Sequence, residues 1–344
     1  MKESSQSRYV RQEIFEGIGP EGQADISAGR VAIIGLSGLG TTVANHLARA
    51  GVGFIRIIDG DYPDLIELQR QDIFTERDAR EEIPKAVATK EYLEKVNSEI
   101  EIDAVISDVN SANIDHMIED VDLVIDGTDS MELRLLINEA CHALQKPWIY
   151  GGALAASGTT CNFLPGKDKP CFKCFVGEDI YEEEGEQPTC ATVGVLSSTL
   201  GMIASLQATE ALKILAGSPD VREEMIMFDL WENSFDSFPI DHDPDCPVCA
   251  HENYEFYGKA HGSQTVSMCG KDSVQVIPEI ERNIDFAAYA GKLEKQGKVS
   301  YNEYTLNFDD GTIGIKLFKN GRAIIKHVND ISRAKAAYAE YIGI

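Results

Sequence analysis

Short apolar runs rich in β-branched residues recur through the first half of the chain, each followed by a stretch with helical periodicity. VAIIG at 31–35 predicts a strand, the Gly-rich residues after it a tight turn, and the segment through Ala50 a helix. FIRIID at 54–59 predicts the next strand. A helix after Lys85, a strand centred on 101–105, a helix near 111–119, the strand VDLVID (121–126), a helix from Met131 and the strand PWIYGG (147–152) continue the alternation. Repeated βα units imply an α/β fold with a doubly wound, Rossmann-like, mainly parallel sheet. Past Gly152 the alternation breaks. Short strands follow, then the acidic run EDIYEEEGE (178–186), read as a solvated loop, and the pair EMIMFDLW and SFDSFPI, which predicts an antiparallel continuation of the sheet. Residues 193–215 are mostly apolar, but Gln207, Glu210 and Lys213 interrupt them, and Leu196, Leu200, Ile203 and Leu206 recur at helical spacing. That pattern predicts a buried helix and not a membrane span.

Residues 250–272 lack periodicity and carry turn formers, which divides the chain into a main domain at 1–250, a linker at 251–271 and a small α+β domain at 272–344. The last part reads as strand VQVIP, helix DFAAYAGKLEKQG, strands EYTLNF, TIGIKLF and RAIIKHV with turns at Asp309-Asp310-Gly311 and Lys319-Asn320-Gly321, and helix ISRAKAAYAEYIG. Charge sharpens the boundary. Residues 271–344 hold 11 basic and 10 acidic side chains, whereas residues 1–270 hold 20 and 47. The chain's net charge of -26 argues against nucleic acid or an anionic membrane as the main partner. MKESSQSRYVRQ has no apolar core behind its one early lysine, so no signal peptide is expected and the cytoplasm is the expected compartment. Eight cysteines in 344 residues are too sparse for a disulfide scaffold.

Several motifs carry chemistry. The turn Gly35-Leu36-Ser37-Gly38-Leu39-Gly40 joins a strand to a helix, a place where glycines let backbone amides approach phosphates and the helix dipole favours negative charge. Asp59 ends the second strand, positioned to accept hydrogen bonds from ribose hydroxyls, so a nucleotide site is expected. Arg70 and Lys85 are candidate phosphate ligands, which suits a triphosphate better than a hydride carrier. Asp126 and Asp129 in DGTDS follow a strand at its carboxyl end, where a carboxylate can hold Mg²⁺ against phosphates; helix capping by Asp129 or Ser130 is the other reading. Cys171-x-x-Cys174 and Cys246-x-x-Cys249 have the number and spacing of a closed structural Zn²⁺ site, with 71 residues between the pairs. Cys190, in PTCATVG directly before the long helix, is a candidate nucleophile at the positive end of a helix dipole; Cys141, Cys161 and Cys269 read as structural.

RYVRQ (8–12), GLSGLG, IIDGDY, LQRQ (68–71), the PK at 84–85, DGTDS with Arg134, PTCATVG, LQATEALKIL and the two CxxC pairs, in that order, resemble the ThiF/MoeB family over roughly residues 8–250. The tail resembles the carboxy-terminal extension of ThiF/MoeB proteins from Bacillus-like bacteria. The resemblance implies an adenylyltransferase. In that reaction the C-terminal Gly-Gly carboxylate of a small ubiquitin-fold sulfur carrier, of ThiS or MoaD type, attacks the α-phosphate of ATP, and the acyl-adenylate then receives sulfur from a sulfurtransferase or cysteine desulfurase. It further implies Asp59 as ribose ligand with Asp61 and Gln71 beside the nucleotide, Arg70 and Lys85 on the phosphates, Asp129 on Mg²⁺, and the four CxxC cysteines on zinc. Arg11 is implied to reach the neighbouring protomer's ATP in a homodimer, and Cys190 to bond the carrier covalently in some members. The chain departs from the family's LSNLQRQ by placing Glu67 at the asparagine, from TDN by Ser130, and by two extra residues between Arg70 and Lys85. An activator of a peptide or a tRNA-thiolation carrier is the alternative within the same fold; Glu67 keeps open a degenerate ATP- or carrier-binding module without catalysis; and an NAD-dependent oxidoreductase is disfavoured by Arg70, Lys85 and the paired CxxC set.

Overall fold

The computed structural model describes residues 7–177, 190–259, 265–267, 273–278, 283–328 and 330–343. The acidic run at 178–186 and Cys269 lie outside them. The chain forms two compact units, Met1–Lys259 and Ala260–Ile344.

The first unit is built on an eight-stranded sheet ordered β3-β2-β1-β4-β5-β6-β7-β8. Its strands are β1 (Arg30–Ile34), β2 (Phe54–Ile58), β3 (Glu101–Val105), β4 (Leu123–Asp126), β5 (Trp148–Leu154), β6 (Ser157–Phe163), β7 (Met225–Asp229) and β8 (Ser234–Phe238). β1 to β5 pair in parallel and β5 to β8 antiparallel, as the sequence pattern predicts. A parallel sheet is covered on both faces, so its central strands β1 and β4 are near-continuous apolar runs, whereas the edge strand β3 carries Glu101 and Asp103. In β1, Val31 and Ile33 face one core with Val43, Leu47 and Ile203, while Ala32 and Ile34 face another with Leu135, Ile137 and Trp148. The chain runs from β1 outward to β2 and β3 and returns on the other side of β1 as β4, which opens a crevice at the carboxyl ends of β1 and β4.

The long helix spans Ser197–Leu215 and packs beside the helix Gly38–Ala50. It begins later than the apolar run because Gly194 turns the chain at φ 80° and Val195 bridges to Ala155. Its buried Gln207 donates to the backbone oxygens of Asp126 (3.0 Å) and Ile149 (3.2 Å), pinning the helix beneath β4 and β5. Among the described residues no helix is long and apolar enough to cross a membrane. Two helices ahead of β1, Val10–Glu13 and Gly19–Ala28, are not foreshadowed by the periodicity.

The second unit is an antiparallel sheet ordered β11-β12-β13-β14-β10-β9 with two helices, Phe286–Leu293 and Ile331–Tyr341. β10 (Ser273–Val276), β12 (Thr305–Asp309), β13 (Gly314–Phe318) and β14 (Ala323–Lys326) match the predicted strands. β9 (Thr265–Ser267) and β11 (Lys298–Tyr301) were not predicted. β11 is a mostly exposed edge strand, so nothing forces an apolar alternation on its sequence.

The guanidinium groups of Arg30, at the amino end of β1, and Arg56, in the middle of β2, converge on Asp120, at 2.8 and 2.5 Å. Arg56 first, with Arg30 adding to it, holds the Asp120 carboxyl down to about 2. Because the folded value lies below the ordinary 3.8, this contribution is full above pH 3.8 and is lost as pH falls toward 2. The site is largely exposed, so Asp120→Asn is expected to cost no more than about 1 kcal/mol at pH 7. In urea denaturation the gap to the wild type should close between about pH 4 and pH 2.

Candidate active site

The crevice at the carboxyl ends of the parallel strands is a cavity of about 300 Å³ lined by Gly35, Ser37, Gly38, Asp59, Asp61, Glu67, Arg70, Gln71, Lys85, Asp108, Thr128 and Asp129, among others. Its floor is the Gly-rich turn. Gly40 packs so closely that a Cβ there would sit 1.9 Å from the oxygen of Gly35, so the turn closes only around glycine. Ser37 is the N-cap of helix Gly38–Ala50, yet its hydroxyl donates to the Gly127 oxygen at 3.0 Å and makes no cap bond. The first amides of that helix, at the positive end of its dipole, therefore stand beside the cavity without a side-chain acceptor.

Asp59 holds this turn in place. One of its oxygens accepts from Leu36 N at 2.7 Å and the other from Asp61 N at 2.7 Å. Burial, together with Asp61, pushes the Asp59 carboxyl above its ordinary value against the pull of Lys85. Lys85 starts the helix Lys85–Val96, with its amide tied to the Asp61 oxygen at 2.8 Å. It is 5% exposed; burial would lower its pKa, but the carboxylates of Asp59, Asp61 and Glu67 outweigh burial and keep the ammonium charged.

The two cations expected to meet phosphate face an anion already in place. Glu67 ends the 3₁₀ turn Leu65–Glu67 and stands 3.4 Å from the Lys85 ammonium and 3.5 Å from the Arg70 guanidinium. Gln71 donates its side-chain amide to Glu67 at 3.1 Å. The buried oxygen of that Gln71 amide and the buried Thr128 hydroxyl, both on the cavity wall, have no partner among the described residues. Two orphaned polar atoms beside helix-terminal amides, a ribose-type carboxylate and two cations suit a nucleotide.

The two aspartates of DGTDS separate. Asp126 is fully buried, accepting from Arg134 Nε at 2.9 Å and Thr128 N at 2.8 Å, while Arg134 also donates to the oxygens of Thr128 and Gly151. That carboxylate is consumed in fixing the loop, which removes Asp126 from the metal-ligand candidates. Ser130 caps helix Met131–Ala143 by accepting from Leu133 N, so Asp129, exposed on the cavity wall, is left for a ligand. Ser107 and Asp108 also line the cavity; their only sequence signal is their place just after β3.

Two predicted residues lie elsewhere. Arg11 is exposed on helix Val10–Glu13 and does not line the cavity of its own chain. Cys190 opens a separate short helix, Cys190–Val193, which Gly194 and Val195 divide from the long one, so it does not stand directly before the long helix as expected; its side chain lies outside the described residues.

Cys171, Cys174, Cys246 and Cys249 bring four sulfur atoms within 4.8 Å of one another. Three of the separations are 4.0, 3.7 and 3.4 Å, close to the edge of about 3.8 Å that a tetrahedron of Zn–S bonds requires. Hydrogen bonding with Cys171 and Cys246 lowers the pKa of the Cys174 thiol. Val248 packs beside the cluster and none of its cysteines lines the cavity, so a zinc ion held there would supply structure, not catalysis. Cys171→Ser is expected to remove about one zinc per chain, read by elemental analysis, and to lower the melting temperature together with it.

The ThiF family pattern matches residues 9–248. A Bacillus subtilis protein named Sulfur carrier protein ThiS adenylyltransferase is 36% identical over 98% of this chain and 99% of its own. The Escherichia coli Molybdopterin-synthase adenylyltransferase is 34% identical over 70% of this chain and 95% of its own. Among solved structures, E. coli MccB with AMPCPP and MccA superposes with a TM-score of 0.62 at 25% identity, covering 72% of this chain and 75% of that one. With a family match across the whole first unit's sheet and a relative that spans the tail as well, this chain belongs to the ThiF family.

Proposed function

We propose that this protein is an ATP-dependent adenylyltransferase that activates the C-terminal Gly-Gly carboxylate of a small ubiquitin-fold sulfur carrier. The observation that carries the reading is the cavity itself, where the amino end of helix Gly38–Ala50, Lys85, Arg70 and Asp59 surround one space at the carboxyl ends of the parallel strands. A ThiS-type carrier is favoured over a MoaD type, because the relative that matches the tail too carries the ThiS name.

In this reading the turn amides and the two cations hold the triphosphate, and Asp59 orients the ribose with Asp61 and Gln71 nearby. The carrier's carboxylate oxygen bonds to the α-phosphorus as the bond to the β-phosphate bridge breaks, giving acyl-adenylate and pyrophosphate. Lys85 and Arg70 stabilise charge on the leaving pyrophosphate. Asp129 is the residue that would hold Mg²⁺, whose chemistry is to neutralise that same charge; a single carboxylate plus phosphate oxygens suits this ion. A sulfur nucleophile from a cysteine desulfurase or sulfurtransferase then bonds to the carbonyl carbon of the adenylate as its bond to AMP breaks and AMP leaves, with Cys190 as the candidate covalent relay. Arg11, exposed and outside its own cavity, suits a homodimer in which it serves the neighbouring site.

The deciding measurement is exchange of labelled pyrophosphate into ATP with ThiS-type and MoaD-type carriers supplied separately and a carrier lacking Gly-Gly as control. Exchange is expected with the ThiS type and not with the truncated carrier. Silence with both, from protein that retains its zinc, would replace this reading with a binding module. Asp129→Ala should slow exchange by about 10²–10³ with zinc content unchanged. Mixing Asp129→Ala chains with Arg11→Ala chains should then restore part of the activity if sites are shared between protomers.

A further inference from the structure

We infer that Glu67 is an internal competitor for the nucleotide's phosphates, a positioning residue that sets how tightly ATP binds. The identity of the nucleotide rests on the adenylylation reading; the competition rests on geometry.

Glu67 is built into the site and does not swing on its surface. Its side chain is 16% exposed, and it forms a reciprocal capping box with Asp64, whose amide donates to Glu67 at 3.0 Å. From that anchored position the carboxylate takes Gln71 at 3.1 Å, Lys85 at 3.4 Å and Arg70 at 3.5 Å. A phosphate oxygen would seek the same donors. Glu67 therefore stands as a phosphate surrogate supplied by the chain, and it adds one more partner to Lys85, already buried beside Asp59 and Asp61, and to Arg70, which also donates to the Ile66 oxygen at 3.2 Å. To the extent that Lys85 and Arg70 must leave Glu67 to meet a phosphate, the nucleotide's apparent affinity is reduced by the fraction of time that pairing persists.

The charge around the cavity points the same way. Arg70, Lys85 and Arg134 face five carboxylates on the wall, and Arg134 is committed to Asp126. A polyanion added to that surplus must be accompanied by divalent cation or must relieve a carboxylate. A neutral amide at position 67 would relieve one.

The test is isothermal titration of the full chain and of Glu67→Gln with ATP and, separately, with inorganic tripolyphosphate, each in Mg²⁺ and in EDTA. If the pairing persists nine-tenths of the time, the variant is expected to bind both ligands about tenfold tighter in EDTA, with a smaller gain in Mg²⁺. In carrier-dependent exchange the KM for ATP should fall with little change in kcat. Glu67→Asn, which removes the charge with a shorter side chain, should reproduce the gain and decides the matter if the glutamine variant folds poorly. Unchanged or weaker binding by a folded variant overturns the inference, and weaker binding only in Mg²⁺ would make Glu67 a metal ligand instead. A gain for tripolyphosphate, with no ATP binding by either protein, would keep Glu67's role and remove the adenylylation reading. ATP binding that ignores the substitution would do the reverse.

Discussion

The site depends on two stretches of backbone that touch with no side chain between them. The Gly-rich turn after β1 lies against Gly127 after β4, where an added Cβ would come within 2.3 Å of the Gly35 oxygen. That contact sits at the point where the sheet's connections diverge, and it lets two strand ends deliver their loops to one space. From there the dependencies run outward. Asp59 clamps Leu36, the Asp61 oxygen clamps the Lys85 amide, and Arg134 clamps Asp126, Thr128 and Gly151, so each loop is fixed by a polar bond to another. All but the backbone bond from Lys85 involve a charged side chain that is at least partly buried, and such bonds are costly to leave half made.

Much of this was legible in the sequence because it obeys local rules. Period and β-branching mark β1 to β5, and a turn between strand and helix marks the Gly-rich floor of the cavity. Asp59 and Lys85 are recognisable because each sits at the terminus of an element, Asp59 after a strand and Lys85 at the start of a helix. What escaped depends on convergence. Nothing in DGTDS tells Asp126 from Asp129; Arg134, one helical turn into the next element, decides it by pairing with the first. Likewise Glu67 reads as a departure from a pattern, yet only the fold shows that it reaches residues 3 and 18 positions away at once. Thr128, Ser107 and Asp108 enter the cavity wall by strand position alone, without a residue type that signals it.

The family assignment and the chemistry of the cavity account for the first unit. The second unit matches the tail of the Bacillus subtilis relative and has its own apolar core, in which Val274, Leu306, Phe308, Ile315 and Ile325 pack with Ala334 and Tyr338. A core of that size is consistent with a small domain that folds on its own contacts.

The cysteine cluster has a consequence for the unfolded chain. Its two halves lie 71 residues apart, and the long helix, β7 and β8 fall between them. A metal joining them would turn that stretch into a closed ring and forbid most of the conformations an open chain could visit. By the loop-closure relation for a covalent cross-link, a ring of this length is worth about 4 kcal/mol. That share would come on top of the metal–thiolate bonds themselves, which in structural zinc sites are worth more than the ring they close.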